Sequence, residues 1–113
     1  MKQGEVWLLN LDPTIGAEIN KTRPAVIIND DQLGILPLKV IVPITDWKDH
    51  YSIAPWMVPI EPSAKNGLAK KSSADCFQIR SVSKNRLIKK IGQVTSTEIL
   101  HVQEGVAKVV GLL

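Results

Sequence analysis

Arg23 and Thr45 are the residues whose types and spacing first suggest chemistry. They lie within the stretch Gly16 to Thr45, GAEINKTRPAVIINDDQLGILPLKVIVPIT. Its two apolar runs, Ala25–Ile28 and Val40–Ile44, are rich in β-branched residues, and Asn29, Asp30, Asp31, Gly34 and Pro37 lie between them. That is strand, turn, strand, so an antiparallel hairpin is expected. With the turn centred on Gly34, positions equally far from the centre oppose one another, and Arg23 faces Thr45 at the open end. A fixed cation beside a hydroxyl, at the mouth of two stiff strands, could hold a phosphate. A loop cation and a strand-end hydroxyl with no shared task fit the same spacing. Pro24 restricts its own φ and the backbone of Arg23, which suits a side chain that must be aimed and equally suits any start of a strand.

The elements that would position this pair can be read in order. Gly4–Leu11 is a first strand, apolar on both faces and therefore central. Asp12-Pro13 stops it, and residues 12–23 form a long loop carrying Gly16, Glu18, Asn20 and Lys21. A loop of that length in a small domain is often a lid or a binding segment. Beyond the hairpin, Asp46–His50 is a polar loop containing Trp47. Tyr51–Ile60 is strand-like but carries Pro55 and Pro59, so it is bent or at an edge. Trp56 suits core packing, packing in a dimer or a platform for a base. Asn66-Gly67 marks a tight turn, Ser73–Val82 a strand, Lys84–Leu87 a short connector of one helical turn, and Ile88–Val94 a last strand with Gly92 at a bulge. Thr95-Ser96-Thr97-Glu98 fits a capping box, and Ile99, Val102, Val106, Val109 and Leu113 recur at helical spacing. Gly105 weakens that helix slightly. The expected fold is mainly β with a C-terminal helix (α+β), a compact β-barrel forming one domain over residues 1–113.

Composition removes several classes of function. No apolar run of 18 residues exists to cross a membrane, and MKQGEVWLLNLDP is too interrupted by Glu5, Asn10 and Asp12 to be a signal peptide. Cys76 is the single cysteine, which leaves no internal disulfide and no thiolate metal cluster. With His50 and His101 as the only imidazoles, neither a metal nor another cofactor is expected, and the chain reads as cytoplasmic. Cys76 itself reads as a small buried hydrophobe, and both histidines as bystanders. Residues 65–90 carry Lys65, Lys70, Lys71, Arg80, Lys84, Arg86, Lys89 and Lys90 against Asp75 alone. Such a run is either a solvated basic surface or a face for RNA or an acidic protein segment.

The segments GEVWLLNLDPTIGAE, TRPAVIIND, IVPIT, CFQIRSV, KNRL and KKIGQV, in that order, resemble the MazF/PemK toxins of bacterial toxin–antitoxin pairs. The resemblance runs from about Gly4 into the C-terminal helix. It implies the SH3-like β-barrel of MazF, PemK and CcdB-type toxins, a homodimer, and a cognate antitoxin that lays a disordered acidic and hydrophobic segment along the RNA-binding groove. Through the antitoxin, operator DNA is a further implied partner. The implied activity is metal-independent, sequence-specific cleavage of single-stranded RNA (mRNA), with 2′,3′-cyclic phosphate and 5′-hydroxyl ends. Arg23 and Thr45 match the family's catalytic arginine and threonine, and Glu18 matches a possible orienting partner or base. Gln78 and Arg80 match residues near the RNA-binding face, with Lys21, Lys48 and Arg86 as further RNA contacts. Phe77 stands where some members have an acid, and Ala17 where they have a histidine, so a base centred on Asp75 is not expected. The alternative is a non-enzymatic CcdB-like toxin that binds DNA gyrase, against which the pairing of Arg23 with Thr45 speaks.

Overall fold

The β-branched runs form strands, and one of them serves three partners. The computed structural model describes residues 1–113 as seven antiparallel strands and one α-helix: β1 (Glu5–Asn10), β2 (Thr22–Ile27), β3 (Leu38–Asp46), β4 (Met57–Ile60), β5 (Ser72–Asp75), β6 (Arg80–Ser83), β7 (Leu87–Gln93) and α1 (Ser96–Val109). The sheet runs β4-β5-β3-β2-β1-β7, with β6 also paired to β3. Strands β4 and β7 end the path, so the curled sheet is an open barrel. Strand β1 lies between β2 and β7, the central place expected from its two apolar faces.

The hairpin register is the one set by a turn at Gly34: Ala25 opposes Pro43, Val26 opposes Val42 and Ile27 opposes Ile41. Continued outwards, it puts Arg23 level with Thr45 on the same face of the sheet. The turn is built by local side chains. Asp30 accepts a hydrogen bond from the Gln32 N–H (2.9 Å), capping a short 3-10 turn at Asp31–Leu33. Asn29 accepts one from the Val40 N–H (3.1 Å), tying the turn to the start of β3.

Two expected strands are shorter than the sequence suggests. Of Tyr51–Ile60, only Met57–Ile60 pairs; Asp49–Ile53 is a 3-10 turn, and Pro55, which lacks an N–H, separates the two. The expected strand Ser73–Val82 is split. Ile44 pairs with Ala74 and Ile41 with Arg80, so a step of three residues along β3 matches six along its partner. The surplus, Cys76–Gln78, is extruded as a 3-10 turn capped by Asp75, which accepts from the Phe77 N–H (3.2 Å).

Strand alternation sends side chains into two cores. Val6, Val26, Val42, Ile44, Ala74 and Cys76 face α1, where Val102 is fully buried and Ile99, Val106 and Val109 pack around it. On the other face Leu9, Leu11, Ala25, Ile27, Ile41 and Val82 form a second core, lidded by Ile19 from the long loop. Each fully buried Leu or Ile contributes about 1.5–3 kcal/mol. The helix starts at the expected capping box, in which Thr95 accepts from the Glu98 N–H (3.1 Å) and Glu98 from the Thr95 N–H (2.8 Å). Strand β7 shifts register against β1 between Gly92 and Lys90, the bulge expected at Gly92. A Cβ at Gly92 would collide with the Lys65 carbonyl oxygen, so the 65–66 backbone can cross there only because the side chain is absent.

Gly105 does more than weaken the helix. A Cβ there would meet Cys76 Sγ at 2.6 Å, so glycine lets α1 seat against the extruded turn. Gly105→Ala is expected to cost about 1–3 kcal/mol by overpacking despite alanine's better helix propensity, and Cys76→Ala should recover most of that loss in urea unfolding. Glu5 generates a second expectation. Burial works to raise its pKa, but hydrogen bonds from Trp7 Nε1 (2.9 Å), the Lys2 backbone and Lys90, with the amino terminus nearby, outweigh it and hold the carboxyl at about 2. A depressed folded pKa gives stability above the ordinary value of 4.5 that is lost as pH falls towards about 2. Thermal melts across that window should fall less steeply in Glu5→Gln than in the wild type.

Candidate active site

The long loop, residues 12–21, is held over the second core by side chains from the other end of the chain. Gln78 does this with both ends of its amide. Its Oε1 accepts from the Ile19 N–H (2.5 Å), and its Nε2 donates to the Ala17 carbonyl (3.2 Å). Arg80 Nη1 donates to the Leu11 carbonyl (3.2 Å), and Arg86 Nη1 donates to the carbonyls of Asn10 (3.1 Å) and Asp12. The loop closes on itself where the Leu11 N–H donates to the Lys21 carbonyl (2.9 Å). Lys21 itself is exposed and adopts a left-handed backbone (φ 64°), an uncommon conformation for a residue with a side chain.

Between loop and sheet lies a cleft of about 400 Å³, walled by Ala17, Glu18 and Ile19 on the loop side and by Pro43, Phe77, Gln78 and Arg80 on the sheet side. Its floor is thus the face of β3 that carries Pro43 and Thr45. By strand alternation Arg23 and Thr45 fall on that face, two residues beyond Ala25 and Pro43 where the pairing of β2 with β3 ends, and neither lines the cleft. Both are part-exposed, and Arg23 forms no ion pair within the chain. Glu18 lines the cleft, but one carboxylate oxygen accepts from the Ile15 N–H (2.6 Å) and folds the loop tip. The structure therefore gathers Glu18, Gln78 and Arg80 at one cleft, with Arg86 at the loop's root and with Arg23 and Thr45 outside the lining. Lys21 and Lys48 are exposed and line no part of it.

Three further residues stand out, of which the sequence left only Ser73 unmarked. Phe77, from the extruded turn, is 63% exposed and meets Trp56 edge to face (centroids 5.9 Å apart), so Trp56 is a surface aromatic and not part of either core. Asp75 is buried beside them; burial raises its carboxyl pKa, against opposing hydrogen bonds from Phe77 and Gln78. Ser73 is fully buried, and its Oγ is the one buried side-chain polar atom without a hydrogen-bond partner. The signal for Ser73 was its pairing with Thr45, visible only once β5 is known to lie beside β3. Cys76 is a buried thiol, as expected, with a pKa pushed up by burial, and by neighbouring Asp75, to about 12.

The basic run of residues 65–90 is divided. Lys70, Lys71 and Lys90 pair with Asp46 (2.9 Å), Glu61 (3.5 Å) and Glu5 (3.3 Å), and the two arginines bind loop carbonyls. No group of three or more His, Cys, Asp or Glu side chains is placed to hold a metal ion. No helix is long and apolar enough to cross a membrane.

Residues 2–110 match the profile of the PemK-like, MazF-like toxin of type II toxin–antitoxin systems. The chain belongs to that family. It is 31% identical over 110 residues to endoribonuclease MazF9 of Mycobacterium tuberculosis, covering 92% of this chain and 91% of that one. With endoribonuclease MazF of Staphylococcus saprophyticus it shares 33% identity over 112 residues, covering 99% and 92%. Its fold is that of MazF from Deinococcus radiodurans (TM-score 0.81, 19% identity, 98% and 96% covered) and of a mycobacterial endoribonuclease solved with its cognate antitoxin (TM-score 0.78, 19% identity, 100% and 97% covered). The gyrase-binding alternative is not favoured, because these MazF relatives carry endoribonuclease names.

The Gln78 amide is placed to act as the loop's latch. Gln78→Ala should cost about 0.5–1.5 kcal/mol and speed amide exchange at Ile19. Unchanged protection at Ile19 would mean that the loop is held by other contacts.

Proposed function

We propose that this MazF/PemK-like toxin is an endoribonuclease that cleaves single-stranded RNA without a metal ion. What supports the reading is that the β2–β3 register, extended two residues beyond Ala25 and Pro43, brings Arg23 level with Thr45 near the loop-walled cleft, in a chain whose relatives are named endoribonucleases. The ribose 2′-hydroxyl loses its proton and attacks phosphorus, forming the O2′–P bond as the P–O5′ bond breaks; the departing O5′ takes a proton from solvent, which leaves 2′,3′-cyclic phosphate and 5′-hydroxyl ends. Arg23 grips the phosphate and stabilises the charge gathering on its non-bridging oxygens. A guanidinium is poorly suited to remove a proton, so it is not assigned as the base. Thr45 donates its hydroxyl proton to a non-bridging oxygen. Glu18 has a second carboxylate oxygen, besides the one bound to Ile15, to hold or deprotonate the 2′-hydroxyl.

The cleft and the exposed Phe77–Trp56 edge accommodate the bases next to the cut. Gln78, Arg80 and Arg86 contribute mainly by shaping the loop that walls this cleft, and Lys21 and Lys48 add charge at its margins. The toxin works as a homodimer in the cytoplasm, restrained by an antitoxin whose acidic, hydrophobic segment competes for the same groove and connects the pair to operator DNA.

The test is a long unstructured RNA incubated in EDTA with the wild type and Arg23→Ala, followed by mapping of the ends. Cuts at one short sequence with cyclic phosphate ends, slowed about 10²–10³-fold in the variant, are expected. No cutting by the wild type would overturn the proposal, and full-rate cutting by the variant would remove Arg23 from the chemistry.

A further inference from the structure

Ser73 combines three observations. It is wholly buried, its hydroxyl finds no partner, and it pairs directly with Thr45 across the β3–β5 ladder. Ala74 and Cys76 point into the core beneath α1, so Ser73 must point to the opposite face. Ile44 likewise points into that core, which puts Thr45 on the face of Ser73. Directly opposed side chains on one face have Cβ atoms about 4.5–5.5 Å apart, near enough for hydroxyls to bond after a rotation about χ1.

The other residues that pairing and alternation place beside Ser73 on that face are Pro59, Lys71 and Asp75. Pro59, opposite it on β4, has no polar side chain. Lys71, two residues before it, reaches out to Glu61 (3.5 Å) and lies over the Trp47 ring (4.7 Å). Asp75, two residues after it, caps the extruded turn through the Phe77 N–H. Thr45 is part-exposed above a serine that is not.

We propose that Ser73 is a positioning residue that donates its buried hydroxyl proton to Thr45 Oγ1 when RNA is bound. This rests on the reading of Thr45 as a catalytic hydroxyl. A threonine hydroxyl has one proton to give, and it can turn away from the phosphate by rotating about its C–O bond. Accepting a bond from below occupies a lone pair of Oγ1 and leaves the proton directed at the non-bridging oxygen. The donated bond also polarises the Thr45 hydroxyl, strengthening its own donation as charge builds on phosphorus. Ser73 touches no substrate atom. Its cost is a buried hydroxyl left unpaired while the site is empty.

The experiment compares wild type, Ser73→Ala, Thr45→Ala and the double variant in single-turnover cleavage at saturating RNA. Binding of the same RNA with a 2′-O-methyl group at the cut site, and thermal stability, are measured alongside. Ser73→Ala should cleave about three- to tenfold more slowly, the effect of one hydrogen bond felt in the transition state. It should bind the methylated RNA as the wild type does and melt at or above the wild-type temperature, since an orphan polar group has been removed. The double variant should be no slower than Thr45→Ala. A loss caused only by damaged structure would lower stability and binding together, and would overturn the proposal. Wild-type cleavage by Ser73→Ala beside a crippled Thr45→Ala would overturn the role of Ser73 alone, as would independent, multiplying losses. Full activity in Thr45→Ala would overturn the reading of Thr45 and this proposal with it.

Discussion

A strand has two hydrogen-bonding edges, and β3 uses both to hold three neighbours. One edge takes β2; the other takes β6 near the start of β3 and β5 near its end. Because β5 and β6 are consecutive in the chain and out of step by three residues, Cys76–Gln78 must leave the ladder. Three features of the molecule follow from that displacement. Cys76 turns inward and meets the helix at Gly105, Phe77 turns outward against Trp56, and Gln78 reaches the backbone of a loop 59 residues earlier. The seat of the helix, the aromatic edge and the wall of the cleft share one origin.

The hairpin was legible because its information is local: two β-branched runs around a turn whose centre fixes the register. The capping box at Thr95 and the turn at Asn66-Gly67 were legible for the same reason. The division of Ser73–Val82 was not. Phe77 and Ile79 carry the apolar weight of a strand, and the competing influence is the register of a partner, which no local pattern records. The second core shows another limit. Ile19 reads as one apolar residue in a polar loop, and only the folded chain reveals that it packs against the second core.

The same distinction applies to the site. Arg23 and Thr45 could be set level by counting from Gly34, and resemblance supplied a chemical meaning for them. Gln78, Arg80 and Arg86 were expected at the RNA, as polar and basic residues of an exposed face. Their hydrogen bonds go to the chain's own carbonyl and amide groups, because a long loop over an apolar core leaves its backbone in need of partners. Counting charges therefore overstates the free positive surface. Arg23 forms no ion pair within the chain, whereas much of the later basic run is engaged with the protein itself.

Buried at the centre of this arrangement, the lone thiol is chemically silent. With its pKa at about 12 and its sulfur against α1, Cys76 presents almost no thiolate at neutral pH. The protein thus comes with a clean background for site-specific labelling. A cysteine introduced at the exposed tip of the 12–21 loop would be the single reactive sulfur, and a fluorophore attached there would report loop movement in real time without first rebuilding the core.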